Sequence, residues 1–376
     1  MVAFLRGAYD GLSAFSPYAD RDYYAIRPNI SIPAPDGTAQ TGLRLDDIFA
    51  LHPALAPLLP LWKQGVLGFV PAAGLPAPNR SHFDAQYQME IAQMGKSSSA
   101  PGWLNKIASL PGLQAMASQG NRASAVALGV GEANPAILGG PAAVKLIARG
   151  PSSERSGVLT NDATRQALLD LYAGNDSLGD AFRQGAGSRM QSAQELSTEK
   201  IAAQGARSMA MREDARIADR LADVNGTFAS LQAGSAQMLV ASNGAADPVG
   251  LPLDAQHLGT LMRNDRTLRL GFLSAGGWDT HANQGAVSGQ LAGNLGNLGR
   301  GIAQLRQDFS GARGCHCGDE LVWSHQCGKR HTRHRPRLWK CPLADWQPRG
   351  RRPAAWRVER AGQRQSQRRP GPAGAP

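Results

Sequence analysis

No cysteine occurs in the first 310 residues; all four (Cys315, Cys317, Cys327 and Cys341) fall in residues 311–376. A cysteine-free body needs no disulfide to fold and is indifferent to redox compartment. Net charge is missing from the same stretch. The chain has 40 Lys and Arg against 29 Asp and Glu, but 15 and 4 of these lie in residues 311–376, which leaves 25 of each sign before them. The formal +11 therefore belongs to the C-terminal segment, and a nucleic-acid reading of the whole chain loses its basis in the body. Long apolar runs are also lacking, so no membrane span is expected. Met1 is followed directly by Val2-Ala3-Phe4-Leu5, which reads as a strand and not as a charged leader. As written, the chain is expected in the cytoplasm.

What the body does contain is an alternation of strand and helix signals. Val2–Leu5 is apolar and runs into Arg6-Gly7-Ala8-Tyr9-Asp10-Gly11, a strand followed by a glycine-rich turn. Residues 45–65 have helical spacing of Phe49, Leu51, Leu55, Leu58, Leu59 and Trp62, interrupted by Pro53, Pro57 and Pro60. Strands are expected at 66–72, 124–129 and 267–274, and helices at 81–94, across much of 163–240 and at 285–309. Such alternation predicts an α/β fold, a three-layer α/β/α sandwich on a mainly parallel sheet. In these sheets ligands gather at the carboxyl ends of the strands. Asp10 and Asp279 both fall just past strand ends.

Asp10, Asp279 and His281 are residue types that hold a divalent cation. Their bland alternative is a pair of capping aspartates and a surface histidine. Ser81 sits in Asn79-Arg80-Ser81-His82-Phe83-Asp84, just before a helix. There it is either an N-cap or a nucleophile where helix amides and dipole favour an incoming anion. Arg80 adds a guanidinium suited to phosphate or sulfate. His82 reads as structural or as a support behind the site's own residues, not as catalytic, and His52 and His257 have no evident partners.

Four stretches, RGAYDGLSAFSPYADRDYYAIRP at 6–28, FALHPALAPLLPLW at 49–62, GLPAPNRSHFDAQ at 74–86 and GGWDTHANQ at 276–284, resemble the bacterial domain-of-unknown-function 1501 family. That family is grouped with the alkaline phosphatase-like and sulfatase-like hydrolases. The resemblance implies a site for divalent cations and hydrolysis of a phosphate or sulfate ester, with no substrate named. It gives Asp10, Asp279 and His281 the role of metal ligands and Ser81 that of nucleophile. It also implies a twin-arginine export signal in intact relatives, hence a periplasmic or exported location for them. A C-terminal Thr-Asp-His-Gly motif, whose Asp-His pair completes the family's metal site, does not occur here.

Residues 311–376 are a different kind of sequence. They contain no Ile, Phe, Tyr, Met or Asn and only five Leu or Val, yet four of the seven tryptophans. So apolar-poor a segment is expected to be disordered. Its Arg, Pro, Gly and Ala have GC-rich codons, as in a GC-rich gene read out of frame. Reading the codons that Ser324–Cys341 permits from each second base allows a run containing Thr-Asp-His-Gly, the motif otherwise missing. Cys315–Asp319 likewise allows Val-Thr-Val-Val-Met, a buried strand. We therefore expect a shift of frame near residues 310–314, an α/β body at 1–310 that is incomplete at its C-terminus, and a basic out-of-frame tail at 311–376.

Two functions follow, from different classes. The first is a metal-dependent phosphate- or sulfate-ester hydrolase scaffold, impaired because its last ligand block is missing. No specific nucleic acid is expected as its partner. The second is a basic nucleic-acid- or zinc-binding protein acting through Cys315, Cys317, Cys327, His331, His334 and the neighbouring arginines. The spacing of those cysteines and histidines matches no standard zinc finger.

Overall fold

The computed structural model describes residues 1–71, 73–76, 80–95, 99–118, 125–131, 135–155, 157–174, 176–210, 245, 248–310 and 322–324. In chain order the elements are β1 (Val2–Leu5), α1 (Gly11–Ala14), β2 (Phe15–Ser16), α2 (Arg21–Ile26), β3 (Leu43–Arg44), β4 (Ala50–Leu51), a 3-10 turn (Pro53–Leu58), α3 (Leu59–Lys63), α4 (His82–Ile91), α5 (Trp103–Ala108) and α6 (Pro111–Ser118). There follow β5 (Ala127–Val130), β6 (Val144–Ile147), α7 (Asp162–Leu171), α8 (Ser177–Ala210), α9 (Leu251–Asn264), β7 (Leu270–Ala275), α10 (Gln290–Ser310) and β8 (Val322–Ser324), with short 3-10 turns between some of them. Contacts divide the chain into Met1–Lys329 and Arg330–Pro376. The second unit lies outside the described residues.

The main sheet has the order β6-β5-β7-β1-β8, and every pairing in it is parallel. The fold is α/β. Alternate residues of β1 enter two separate apolar clusters, as a two-faced sheet requires. Ala3 and Leu5 join Leu128, Val130, Leu273 and Ala275 in one, packed against α9 and α10. Val2 and Phe4 join Ala127, Phe272, Leu104 and Ala108 in the other, on the α5 side. Helices thus cover both faces of the sheet, giving the three layers expected. A small antiparallel sheet, β2-β4-β3, stands apart from it.

Leucine spacing explains α10. Leu291, Leu295, Leu298, Ile302 and Leu305 recur at intervals of three and four and are all buried. Burying one such side chain contributes about 1.5–3 kcal/mol, so the stripe anchors α10 against α9 and the 53–58 turn. Among the described residues no helix is long and apolar enough to cross a membrane.

Three expectations need correction. Residues 45–65 form one short strand (β4), the 3-10 turn and α3 rather than one interrupted helix, because the prolines remove the donors that a continuous helix needs. No strand forms over residues 66–71. Val66 and Val70 are exposed, and Gly65, Gly68 and Pro71 punctuate the segment, so an apolar run without a neighbouring strand stays irregular. Within the segment expected to lack regular structure, Val322–Ser324 pairs with Val2–Phe4 as β8. An open strand edge offers backbone donors and acceptors to any extended chain, so this pairing needs no apolar core in the tail. The remainder of the tail, with its cysteines and histidines, lies outside the described residues, as do residues 211–240 of the expected helical stretch.

Candidate functional site

β1 and β7 are adjacent and parallel, with Leu5 opposite Ala275. The loops that leave their carboxyl ends therefore run side by side, and Asp10 and Asp279 belong to those two loops. Gly7 makes the approach possible. It has a φ of 114°, and a Cβ there would stand 3.0 Å from the Asp279 nitrogen and 3.3 Å from its Cβ. Only glycine takes that backbone conformation without strain. Beneath the loops Trp278 is fully buried. Its indole nitrogen donates to the Ala275 carbonyl at 3.0 Å, and its ring meets Tyr9 edge-on at 5.2 Å.

Asp279 is buried, 3% exposed. Its Oδ2 lies 2.7 Å from His281 Nε2 and 3.5 Å from His82 Nε2. Two imidazoles thus converge on one carboxylate oxygen. The His281 side chain is 62% exposed, so a ring oriented from below presents its other edge to solvent. His82, read from sequence as structural or as a support behind the site, is brought to this point because it opens α4. Ser81 caps that helix: its Oγ accepts the Asp84 backbone N–H at 3.3 Å, the local role serine performs well there. Arg80 is exposed.

Asp10 is engaged differently. It caps α1, with Oδ1 accepting the Ser13 N–H at 3.3 Å. Its Oδ2 accepts from Ser13 Oγ at 3.0 Å, from Gln284 Nε2 and from Arg27 Nη2. Burial pushes this carboxyl up, but the Arg27 charge and the hydrogen bonds from Arg27, Gln284 and Ser13 outweigh it and hold the group below the usual carboxylate range. Gln284 also accepts from Thr280 Oγ1 at 3.0 Å, which ties Asp10 to the residue after Asp279.

The rest of the β7 loop is pinned from two sides. Asn294 Nδ2 donates to the Gly277 carbonyl at 2.8 Å. His52, fully buried, has partners on both ring nitrogens: Nε2 lies 2.9 Å from the Ala286 carbonyl, and Nδ1 accepts the Ala54 N–H at 3.0 Å. Burial lowers its pKa, and with Nδ1 accepting from Ala54, Nε2 is the nitrogen that donates to Ala286. His257 likewise has partners, with Nδ1 2.7 Å from Ser153 Oγ and Nε2 3.6 Å from Glu154 Oε1. Both corrections have one cause, since the partners lie far away in sequence or on backbone atoms that side-chain patterns do not display.

Asp279, His281 and His82 are donor types that suit a borderline cation. As placed, however, both imidazoles face the same oxygen, His281 at 2.7 Å and His82 at 3.5 Å, and among the described residues no three His, Cys, Asp or Glu side chains are disposed to hold a metal ion. Asp10 fits such a role least, its carboxylate being taken up by Arg27, Ser13 and Gln284. The metal-ligand assignment to Asp10, Asp279 and His281 thus does not fit this arrangement. Arg27, Ser13 and Gln284 were missed as site residues, although Arg27 and Gln284 each lie near the end of a stretch that carried the family resemblance. Nothing in their own type or spacing marks them.

An α/β fold with a polar cluster at the carboxyl end of a parallel sheet is the class that these observations define. The chain belongs to the family described as "Protein of unknown function (DUF1501)", which matches residues 1–315. No curated protein and no solved structure is found to match it.

Proposed function

We propose that this chain is the scaffold of a phosphate- or sulfate-ester hydrolase of the alkaline phosphatase-like and sulfatase-like type, impaired because a shift of frame near residue 312 has replaced its last ligand block. The observation that carries the reading is the buried Asp279 carboxylate with the exposed His281 imidazole hydrogen-bonded to it at 2.7 Å, at the end of the sheet where α/β proteins bind ligands. A carboxylate that fixes the orientation of an exposed imidazole suits general acid–base work. In this reading His281 takes a proton from the attacking group, and Asp279 stabilises the imidazolium that forms. Ser81 at the start of α4 is the nucleophile, and Arg80 meets the ester's anionic oxygens. The family resemblance adds a requirement for divalent cations, and an exported location for relatives that carry a signal. The ester itself is not named by any residue on this face.

The test compares this chain with a second protein in which the frame is restored, using aryl phosphate and aryl sulfate esters and measuring bound metal. The restored protein should bind divalent metal and hydrolyse one of the two ester classes, and this chain should do so poorly. His281→Ala and Asp279→Asn in the restored protein should each cost about a hundredfold or more in rate, the usual worth of a positioned acid–base group. Equal activity in the two proteins would make the C-terminal block dispensable and the site assignment wrong.

A further inference from the structure

We infer that Arg27 takes the place at Asp10 that the family resemblance gives to a divalent cation, so that this carboxylate is neutralised from within the chain and acts as a positioning group. Three features carry this. First, the carboxylate is filled: Oδ1 receives the Ser13 N–H, and Oδ2 receives Ser13 Oγ, Gln284 Nε2 and Arg27 Nη2. A carboxylate has about four acceptor sites, and four donors here converge on it. Second, the pair is enclosed, with the side chain of Arg27 11% and that of Asp10 15% exposed. A cation arriving at Asp10 would meet a guanidinium that water cannot screen.

Third, Arg27 is built into its place. It caps the C-terminus of α2, its N–H donating to the Tyr24 carbonyl, and its own carbonyl accepts from Ser31 at 3.0 Å and Ile30 at 3.3 Å. Its Nη2 is held a second time by Ser13 Oγ at 2.8 Å. The positive charge at Asp10 is therefore supplied by a residue fixed at both backbone and side chain. What Asp10 passes on is position. Gln284 donates to Asp10 with its amide nitrogen and accepts from Thr280 with its amide oxygen at 3.0 Å, and Thr280 follows Asp279. Asp10 thus reaches the Asp279–His281 pair through Gln284 and contributes no ligand of its own.

The inference is independent of whether the chain hydrolyses anything, and its test reads binding. Mn2+ is titrated calorimetrically into the full chain, Asp10→Asn, Arg27→Met, Arg27→Lys and the double variant Arg27→Met/Asp10→Asn, each checked for native circular dichroism. Asp10→Asn should leave Mn2+ binding, or its absence, within about threefold of the unaltered chain, less than 1.4 kcal/mol. Arg27→Met should bind Mn2+ about tenfold or more tightly than the unaltered chain, and the double variant should lose that gain. Arg27→Lys, which keeps the charge, should gain nothing. A tenfold loss in Asp10→Asn overturns the inference, as does a folded Arg27→Met with no gain. If Arg27→Met does not fold, Asp10→Asn and Arg27→Lys decide: loss of Mn2+ in the first or gain in the second overturns it. An unaltered chain that binds no Mn2+ is what the impaired-hydrolase reading expects, and the Arg27 variants still decide the role of Asp10.

Discussion

At Asp10 two opposing effects meet: burial favours the neutral carboxyl, and Arg27 favours the carboxylate. The second wins, and the folded-state pKa lies below its ordinary value. As pH falls, the unfolded chain takes up this proton first. The stability that ionised Asp10 contributes is therefore complete above its ordinary pKa of about 3.9 and is lost as pH falls through the lower folded-state value. Asp10→Asn should be less stable than the unaltered chain near neutrality, and its stability should fall less steeply over the acid limb, from about pH 5 downward. Urea midpoints taken across that range read this directly, and parallel acid limbs in the two proteins would mean that the Arg27 pair does not set the slope. His52 offers a contrasting case. Its ring donates to a half-buried carbonyl and caps a turn, so His52→Ala leaves the Ala286 oxygen without its donor and should cost about 1–3 kcal/mol. A smaller loss, within about 0.5 kcal/mol, would show that the loop relaxes onto another partner.

Between β1 and α4 runs a second buried pair. Arg6 Nη1 meets Glu90 Oε1 at 2.5 Å, with both side chains 3% exposed, and donates to Gln86 at 3.1 Å. Glu90 Oε2 also accepts the Ile137 N–H at 2.9 Å. One carboxylate thus joins the end of β1, the C-terminal end of α4 and the turn before β6, and it sets how α4 lies when His82 reaches Asp279. Glu90→Ala would leave Arg6 charged, buried and unpaired, a change expected to cost about 3–5 kcal/mol. Thermal melting measures it, and the double variant Arg6→Met/Glu90→Leu should recover most of the loss. If Glu90→Ala melts like the unaltered chain, water enters the site and the pair is not what orients α4. None of this was legible in the sequence, because the partners lie 80 and 84 residues apart. What could be read was periodic or local: the apolar run of β1, the leucine stripe of α10, and the Ser81 cap with Asp84 three residues on. β6 was missed because Val144-Lys145-Leu146-Ile147 is short and sits at the sheet edge, where three of its four residues are only partly buried. α9 was missed because Pro252 and Gly259 dilute its signal, although Leu251, Leu258 and Leu261 are buried. Asp10, Asp279 and His281 could be placed at strand ends, but the guanidinium that changes the meaning of Asp10 could not.

Charge is distributed over the whole molecule in a way that separates the two functional classes. Residues 330–376 hold 13 Lys and Arg against 2 Asp and Glu, so the remaining 27 of each sign leave residues 1–329 formally neutral. Residues 311–329 carry two charges of each sign, so a cut at the contact boundary of Lys329 also leaves a neutral body. A polyanion that neutralises several of these arginines releases counterions, and its affinity falls steeply with salt. We expect the full chain to be retained on heparin and released as salt rises, and a chain ending at Lys329, which keeps β8, to pass through near physiological salt. That result would assign polyanion binding wholly to the tail's charge. Sequence-independent retention, equal for heparin and for unrelated DNA duplexes, would make it a consequence of arginine content with no site behind it. Retention of the shortened chain would instead locate an anion-binding surface on the neutral body, where Arg80 stands exposed beside Ser81. Arg80→Ala should then abolish it. Inorganic phosphate or sulfate eluting the shortened chain at concentrations well below the sodium chloride required would point to a built anion site of the kind the hydrolase reading needs.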